Sequence, residues 1–298
     1  MSEQSTKQPI IVAVDRPERA AQLVRTGSDI AALTGSSVLV VTVAVKPYNS
    51  PFGVFEDATI VEQYAADSRA IIARATDVAP GGVEVEGEVV VGSSVGGGIL
   101  QTVTNRNPRA VVIGWDDRRT RRDAILGSTV DRLLKRLPCD LYVERIGTEA
   151  NGVDSILLPV AGGPHVSSAA MAAKAIAVRN RATVAILAVA GGEISESDAS
   201  EYREHGREML EDLPGPDIDI ESELIAKEPV TDAIVESAAA HDVIVFGATR
   251  QGGLRRKVAG SIPREVASRT DRTVILGRSG AAIPDRSRLL GRVLASFR

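Results

Sequence analysis

The chain has 298 residues, 44% of them hydrophobic, which is enough for two domains that each bury a core. A formal charge of −4 and a pI near 5.6 exclude a protein-wide nucleic-acid footprint, which requires a strong basic excess on one face. The single cysteine, Cys139, permits neither an internal disulfide nor a metal knuckle, the polar start MSEQSTKQP lacks a signal-peptide core, and no apolar run is long enough to span a bilayer; a soluble cytoplasmic chain is expected.

In chain order, PIIVAVD is a short β-branched run that predicts a strand, and RAAQLVRTGSDIAALTG repeats its apolar positions at helical spacing, with Gly35 as C-cap. SSVLVVTVAV follows as a strand, then a loop over residues 46–57 (KPYNSPFGVFED) and a helix through VEQYAADSRAIIARATDVA. The loop carries three aromatics and reads either as a lid or as a packed crossover. VEVEGEVVV, AVVIG and DLYVERI are further strands, separated by VGGGILQTVTNR, a helix weakened by its glycines, and by STVDRLLKRL. From Ser155 the alternation restarts with the strands SILLPVA, ATVAILAVA, IDIESELIA, DVIVFG and TVILGR and the helices SSAAMAAKAIAVRN, SEYREHGREMLEDL, VTDAIVESAAAH and PREVASR. Strands alternating with helices predict an α/β fold with parallel sheets covered on both faces.

The two halves are in register. An offset of 133 residues carries Gly114 to Gly247, Asp117 to Arg250, Gly127 to Gly260, Ser128 to Ser261 and Val143 to Leu276, the signature of a duplicated domain. The polar segment Gly147 to Asp154 is the expected boundary, giving domains over 1–147 and 154–280 and a C-terminal tail over 281–298. In that tail Leu289, Leu290, Val293, Leu294 and Phe297 share one face of a predicted amphipathic helix, with Arg286, Arg288 and Arg292 largely opposite. Packing on its own domain is the preferred reading of this helix, with docking on a partner or an anionic surface as the alternative.

In GWDDRRTRRDAILGST a strand ends in Gly114 and a Gly-Ser pair, Gly127-Ser128, starts the next helix. The free N–H groups of such a helix start and its dipole favour an anion, and a hydroxyl there caps the helix or touches the ligand. The pattern Gly-x2-Gly-x9-Gly-Ser/Thr after a fourth hydrophobic strand, with an aspartate closing the first strand in VAVD, resembles the universal stress protein family. The resemblance covers both halves almost end to end. It implies two tandem five-stranded parallel open sheets, Rossmann-like, that pair through edge strands as a pseudo-dimer. It also implies an adenine-nucleotide site in which Asp15 and the backbone near Val43 hold the nucleoside while Gly114, Gly127, Ser128 and Thr129 hold phosphates. Any Mg2+ would be only the nucleotide's counter-ion.

Both halves depart from the pattern. In the first, Asp117 replaces the second glycine and would repel a phosphate, an effect that Arg118, Arg119, Arg121 and Arg122 could offset. In the second, Arg250 suits a phosphate and Gly247, Gly260 and Ser261 remain, but Ala161 replaces the aspartate and Pro263 removes a donor from the helix start. The first half is the better candidate. Gly162 and Gly163 read as a turn, His165 within it as a surface residue, and His205 and His241 as isolated, with no metal site.

Three readings stay open: an ATP-binding regulatory protein without intrinsic chemistry, an interaction module with decayed sites such as those attached to transporters, and an ATP hydrolase or adenylate-transferring enzyme. Against the enzyme, no Walker-type Gly-Lys-Ser/Thr and no paired carboxylates or Ser-His-Asp grouping can be argued from spacing. Partners are adenine nucleotide and a protein or a second copy of the chain.

Overall fold

Among the described residues, ten runs rich in Val, Ile and Leu become strands because branched side chains pack well on a pleated surface. The computed structural model describes residues 8–45, 69–78, 81–115, 127–147, 152–248 and 261–282. The order is β1 (Ile10–Ala13), α1 (Pro17–Thr34), β2 (Val38–Val45), α2 (helical over 69–78), β3 (Val85–Gly92), α3 (Val95–Arg106), β4 (Ala110–Gly114), α4 (Gly127–Arg136) and β5 (Asp140–Arg145). It continues with β6 (Ser155–Val160), α5 (Val166–Asn180), β7 (Thr183–Ala190), α6 (Glu196–Asp212), β8 (Ile220–Ala226), α7 (Val230–Ala238), β9 (Val243–Gly247), α8 (Ser261–Arg269) and β10 (Thr273–Arg278). The aromatic loop at 46–57 and the C-terminal residues from 283 onward lie outside the described residues.

Local chemistry sets the helix ends. Pro17 opens α1, where its missing N–H is no loss, and Gly35 closes it at φ 64° with its N–H on the Ala31 carbonyl. Helix α6 starts earlier than its apolar spacing suggests, because Ser195 and Asp198 form a reciprocal capping box. At its far end the buried Lys174 ammonium donates to the carbonyls of Leu210 and Leu213, at 3.0 and 2.7 Å.

The strands form one continuous sheet in the order β3-β2-β1-β4-β5-β10-β9-β6-β7-β8. The expected two five-stranded parallel sheets are thus two parallel blocks of one sheet, and the second block repeats the strand order of the first. They meet at an antiparallel pair, β5 against β10, in which Val143 faces Leu276 and Glu144 faces Ile275. Alternate side chains of each strand enter two cores. Ile10, Val12, Val40, Val112, Ile156, Leu158, Ile186 and Val245 pack under α1, α2, α5 and α6, while Ile11, Leu39, Val111, Leu141, Leu157, Ile244 and Leu276 pack under α3, α4, α7 and α8. Most of these side chains are fully enclosed, and burying each contributes roughly 1.5–3 kcal/mol.

Contacts across the joint are reciprocal under the 133-residue offset. The Arg145 guanidinium donates to the Thr270 and Arg272 carbonyls, and Arg278 donates to the equivalent carbonyls of Leu137 and Cys139. The Gly147 N–H donates to Thr273 Oγ1 at 3.1 Å, and the Gly280 N–H to Asp140 Oδ1 at 2.8 Å. Val143 and Leu276 exchange under the same offset, so a local pseudo-twofold axis passes between them. On one face α1 packs on α5; on the other, Asp131 of α4 lies 3.8 Å from Arg264 of α8, again an exchanging pair.

Candidate functional site

A parallel sheet of this order opens at the carboxyl ends of its strands, where the chain reverses direction between β1 and β4. In the first block five elements deliver their ends to that rim. β1 runs on through Val14, whose N–H donates to the Val41 carbonyl, and then releases Asp15. The Asp15 side chain is 54% exposed, with Arg16 Nε at 3.7 Å and Arg19 Nη1 at 3.9 Å. These are loose ion pairs that leave its carboxylate oxygens open to a further donor.

Arg19 also reaches the end of β4. A Cβ on Gly114 would lie 3.7 Å from Arg19 Nη1 and 3.5 Å from Leu23 Cδ1, so the strand end meets only side-chain tips. Val43 is half-buried on β2, and α3 rests directly on it: a Cβ at Gly98 would come within 2.7 Å of Val43 Cγ1. Glycine is required at that close approach, so the run read as weakening α3 instead seats it against the rim. Ser94 caps this helix, its hydroxyl accepting the Gly97 N–H at 3.1 Å. A Cβ at Gly96 would lie 3.5 Å from Thr129 Cγ2, which sets the starts of α3 and α4 side by side.

Gly127 begins α4, Ser128 is exposed and Thr129 half-buried. Asp15, Val43, Gly114, Gly127, Ser128 and Thr129 therefore gather at one rim. Asp117 and the four arginines that follow it lie outside the described residues. Sequence reasoning missed Arg19, although its position four residues after Asp15 is the spacing of a helical ion pair. It also missed Trp115, which is buried with an indole N–H that has no acceptor among the described residues.

The second block is built differently at the matching place. Ala161 supplies no acceptor, and the turn through Gly162 at φ 69° and Gly163 at φ 89° folds back onto the sheet. A Cβ on Gly247 would lie 2.9 Å from the His165 carbonyl oxygen, so backbone rather than side-chain tips covers the end of β9. His165 corrects the sequence expectation of a surface residue. It is 2% exposed, and its Nδ1 accepts the Ser279 N–H at 3.1 Å, which places any ring proton of the neutral form on Nε2. Ser261 is exposed at the start of α8, while Arg250 and Gly260 lie outside the described residues.

At the first rim Asp15 offers an exposed acceptor beside the helix start at Ser128 and Thr129, whereas at the second Ala161 offers no side-chain acceptor and backbone covers the end of β9. Among the described residues no cluster of three or more His, Cys, Asp or Glu side chains is arranged to hold a metal ion, and no helix is long and apolar enough to cross a membrane.

Residues 7–145 match the sequence model of the Universal stress protein family. No curated protein matches the chain. Among solved structures, a universal stress protein from Archaeoglobus fulgidus DSM 4304 superposes with a TM-score of 0.63 at 16% identity, over 92% of this chain and 97% of its own. The cytoplasmic domain of a prokaryotic cation chloride cotransporter gives 0.60 at 11% identity, over 93% and 97%. A functionally unknown protein from Pseudomonas aeruginosa PAO1 gives 0.57 at 18%, over 92% and 94%. At these identities the likeness establishes the α/β fold over both blocks.

Proposed function

We propose that the chain is a cytoplasmic regulatory protein of the universal stress type, built from two such domains over residues 1–147 and 154–280 with a tail over 281–298. In this reading it binds ATP or a related adenine nucleotide at the rim of the first domain and performs no chemistry of its own. The observation that carries it is the convergence of a solvent-open Asp15 with the starts of α3 and α4 at one carboxyl edge. There Asp15 accepts from the ribose, the backbone by Val43 lies along the base, and the N–H groups of Ser128 and Thr129 meet phosphate. Mg2+ enters only as the nucleotide's counter-ion. The match of residues 7–145 to the family supports the same half of the chain as the ligand-binding one.

The test is nucleotide extraction and mass analysis of the purified protein, joined to thermal shifts with ATP. Adenine nucleotide is expected, with a shift that disappears in Gly127→Asp and is reduced in Asp15→Ala. Absence of nucleotide and of any shift at millimolar ATP overturns the reading.

A second reading, an interaction module without nucleotide, is favoured by one observation: backbone of the His165 turn closes the second rim over Gly247. The likeness in fold to the cytoplasmic domain of a prokaryotic cation chloride cotransporter fits the same reading. An ATP hydrolase is the least supported reading; phosphate release that a site variant abolishes would establish it.

A further inference from the structure

On the opposite rim of the first block, at the amino ends of its strands, lies an open cavity of about 330 Å3. Its wall includes Gln8, Asn107, Arg109, Cys139, Asp140 and Gly280. The volume falls at the lower end of small-molecule sites. Nothing in the nucleotide reading uses it.

The two blocks differ here. Cys139 and Arg109 correspond, at the 133-residue offset, to Arg272 and Asp242. In the second block the Arg272 side chain reaches Asp242, with Nη1 3.8 Å away, and its Nη2 donates to the Ala239 carbonyl at 2.9 Å. Asp242 in turn accepts the N–H groups of Asp154 and Ser155. In the first block the long cationic side chain is replaced by a thiol, and the carboxylate that received it by a guanidinium. At these matching positions the charge relationship is reversed, and the charged group beside the cavity is now positive.

Asp140 is the one carboxylate among the described residues of the wall. It accepts the Gly280 N–H and lies within the field of both Arg278 and Arg109, so two cations act on one anion. With Asp140 held by the Gly280 N–H, the exposed Arg109 is the charged group of the wall left to meet a negative visitor.

We propose that this cavity binds a small oxyanion-bearing molecule, a carboxylate or a phosphate, whose anionic group pairs with Arg109 while its body fills the space above Cys139. Arg109 is exposed, so its guanidinium is free to adjust to the ligand, and the neighbouring amides of Gln8 and Asn107 supply neutral donors. Cys139 is a reporter rather than a reactant: burial pushes its thiol up to about 11, against the thiolate.

The chain has only one cysteine, which gives the experiment a single label. Alkylation of Cys139 by iodoacetamide is followed with succinate, with inorganic phosphate, and with sodium chloride at matched ionic strength. Saturable, several-fold protection by succinate or phosphate but not chloride is expected, lost in Arg109→Gln, and the protecting anion distinguishes carboxylate from phosphate. Thermal shifts with the same two anions, absent in Arg109→Gln and in the cavity-filling Cys139→Phe, read the same binding should the thiol react too slowly. Neither protection nor shift with either anion, or equal effects in Arg109→Gln, overturns the proposal. ATP binding is unaffected by the outcome, because the two rims are separate.

Discussion

Glu144 has no exposure to solvent and stands on β5 beside the pseudo-twofold axis, where the repeat places Gly277. One carboxylate oxygen accepts Gln22 Nε2 at 2.9 Å and the other has no partner among the described residues. Burial pushes its carboxyl up to about 7, against the hydrogen bonds from Gln22 and Thr26. Nearby Asp29 on α1 is pushed up to about 8, first by burial and then by Glu144, while Arg179 of α5 and Arg25 oppose. Both groups hold protons in the folded protein that the unfolded chain has released from about pH 4 upward, so the folded state binds more protons and stability falls as pH rises towards about 8. Each unit of displacement costs about 1.4 kcal/mol once the groups ionise. Urea unfolding at mildly acidic and mildly alkaline pH should show the acidic sample to be more stable, and Asp29→Asn/Glu144→Gln should flatten that slope and stabilise the alkaline sample. A slope unchanged by the double substitution refutes this assignment. Asp15 is an exposed carboxylate at the rim proposed to take nucleotide. Asp15→Ala should weaken ATP by about 10- to 100-fold in isothermal titration, the usual worth of a hydrogen bond to a charged group, with little change in melting temperature.

Helix α3 shows how an element is positioned by what its residues lack. Gly98 and Gly92 approach each other across α3 and β3: a Cβ on Gly92 would lie 3.1 Å from the Gly98 backbone, and one on Gly98 would strike Val43. Gly98→Ala should therefore cost about 1–3 kcal/mol through overpacking, and adding Val43→Ala should restore part of it; a melt showing no loss in Gly98→Ala would mean that the helix is free to move away. These contacts explain which parts of the fold were legible in advance. Continuous runs of β-branched residues announced the strands, and period-3.6 apolar spacing announced most helices of the described residues, because each reports surface that must be buried. The run VGGG carried no such pattern, so its role in seating α3 emerged only once β2 lay beneath it. The same holds for His165, whose burial depends on Ser279, 114 residues away. Asp15, Gly114, Gly127 and Ser128 could be brought to one rim from the sequence because strand ends and helix starts share an edge in any parallel sheet. Arg19 and the exposed second-block turn could not be ranked without knowing which side chain or backbone covers each strand end.

At the scale of the whole molecule, two blocks are locked by a joint whose contacts are reciprocal under the 133-residue offset. Unlike the separate halves of a dimer, the blocks belong to one chain and cannot dissociate by dilution, so the joint need not be symmetric in every contact. It is asymmetric on the α1–α5 face, where Gln22, Thr26 and Glu144 stand opposite an alanine-rich helix whose backbone touches Gly277: a Cβ there would lie 3.0 Å from the Ala169 nitrogen. The carbonyl clamps are reciprocal. Arg278 is 1% exposed and donates to the Leu137, Cys139 and Ser279 carbonyls, so removing it strands buried acceptors from both blocks. Its counterpart Arg145 is less enclosed but makes the matching pair of contacts. Arg278→Met should destabilise the protein by about 3 kcal/mol or more, the range for breaking a buried, hydrogen-bonded charge, and Arg145→Met by less. Because the two clamps sit on either side of one antiparallel strand pair, their losses should couple rather than add. Hydrogen exchange at the β5 and β10 amides reads this directly: in Arg278→Met those amides should exchange early, ahead of β1 and β6 in the block interiors. Uniform acceleration throughout both blocks would instead mean that the sheet unfolds as one unit and that the joint is no weaker than the cores it connects.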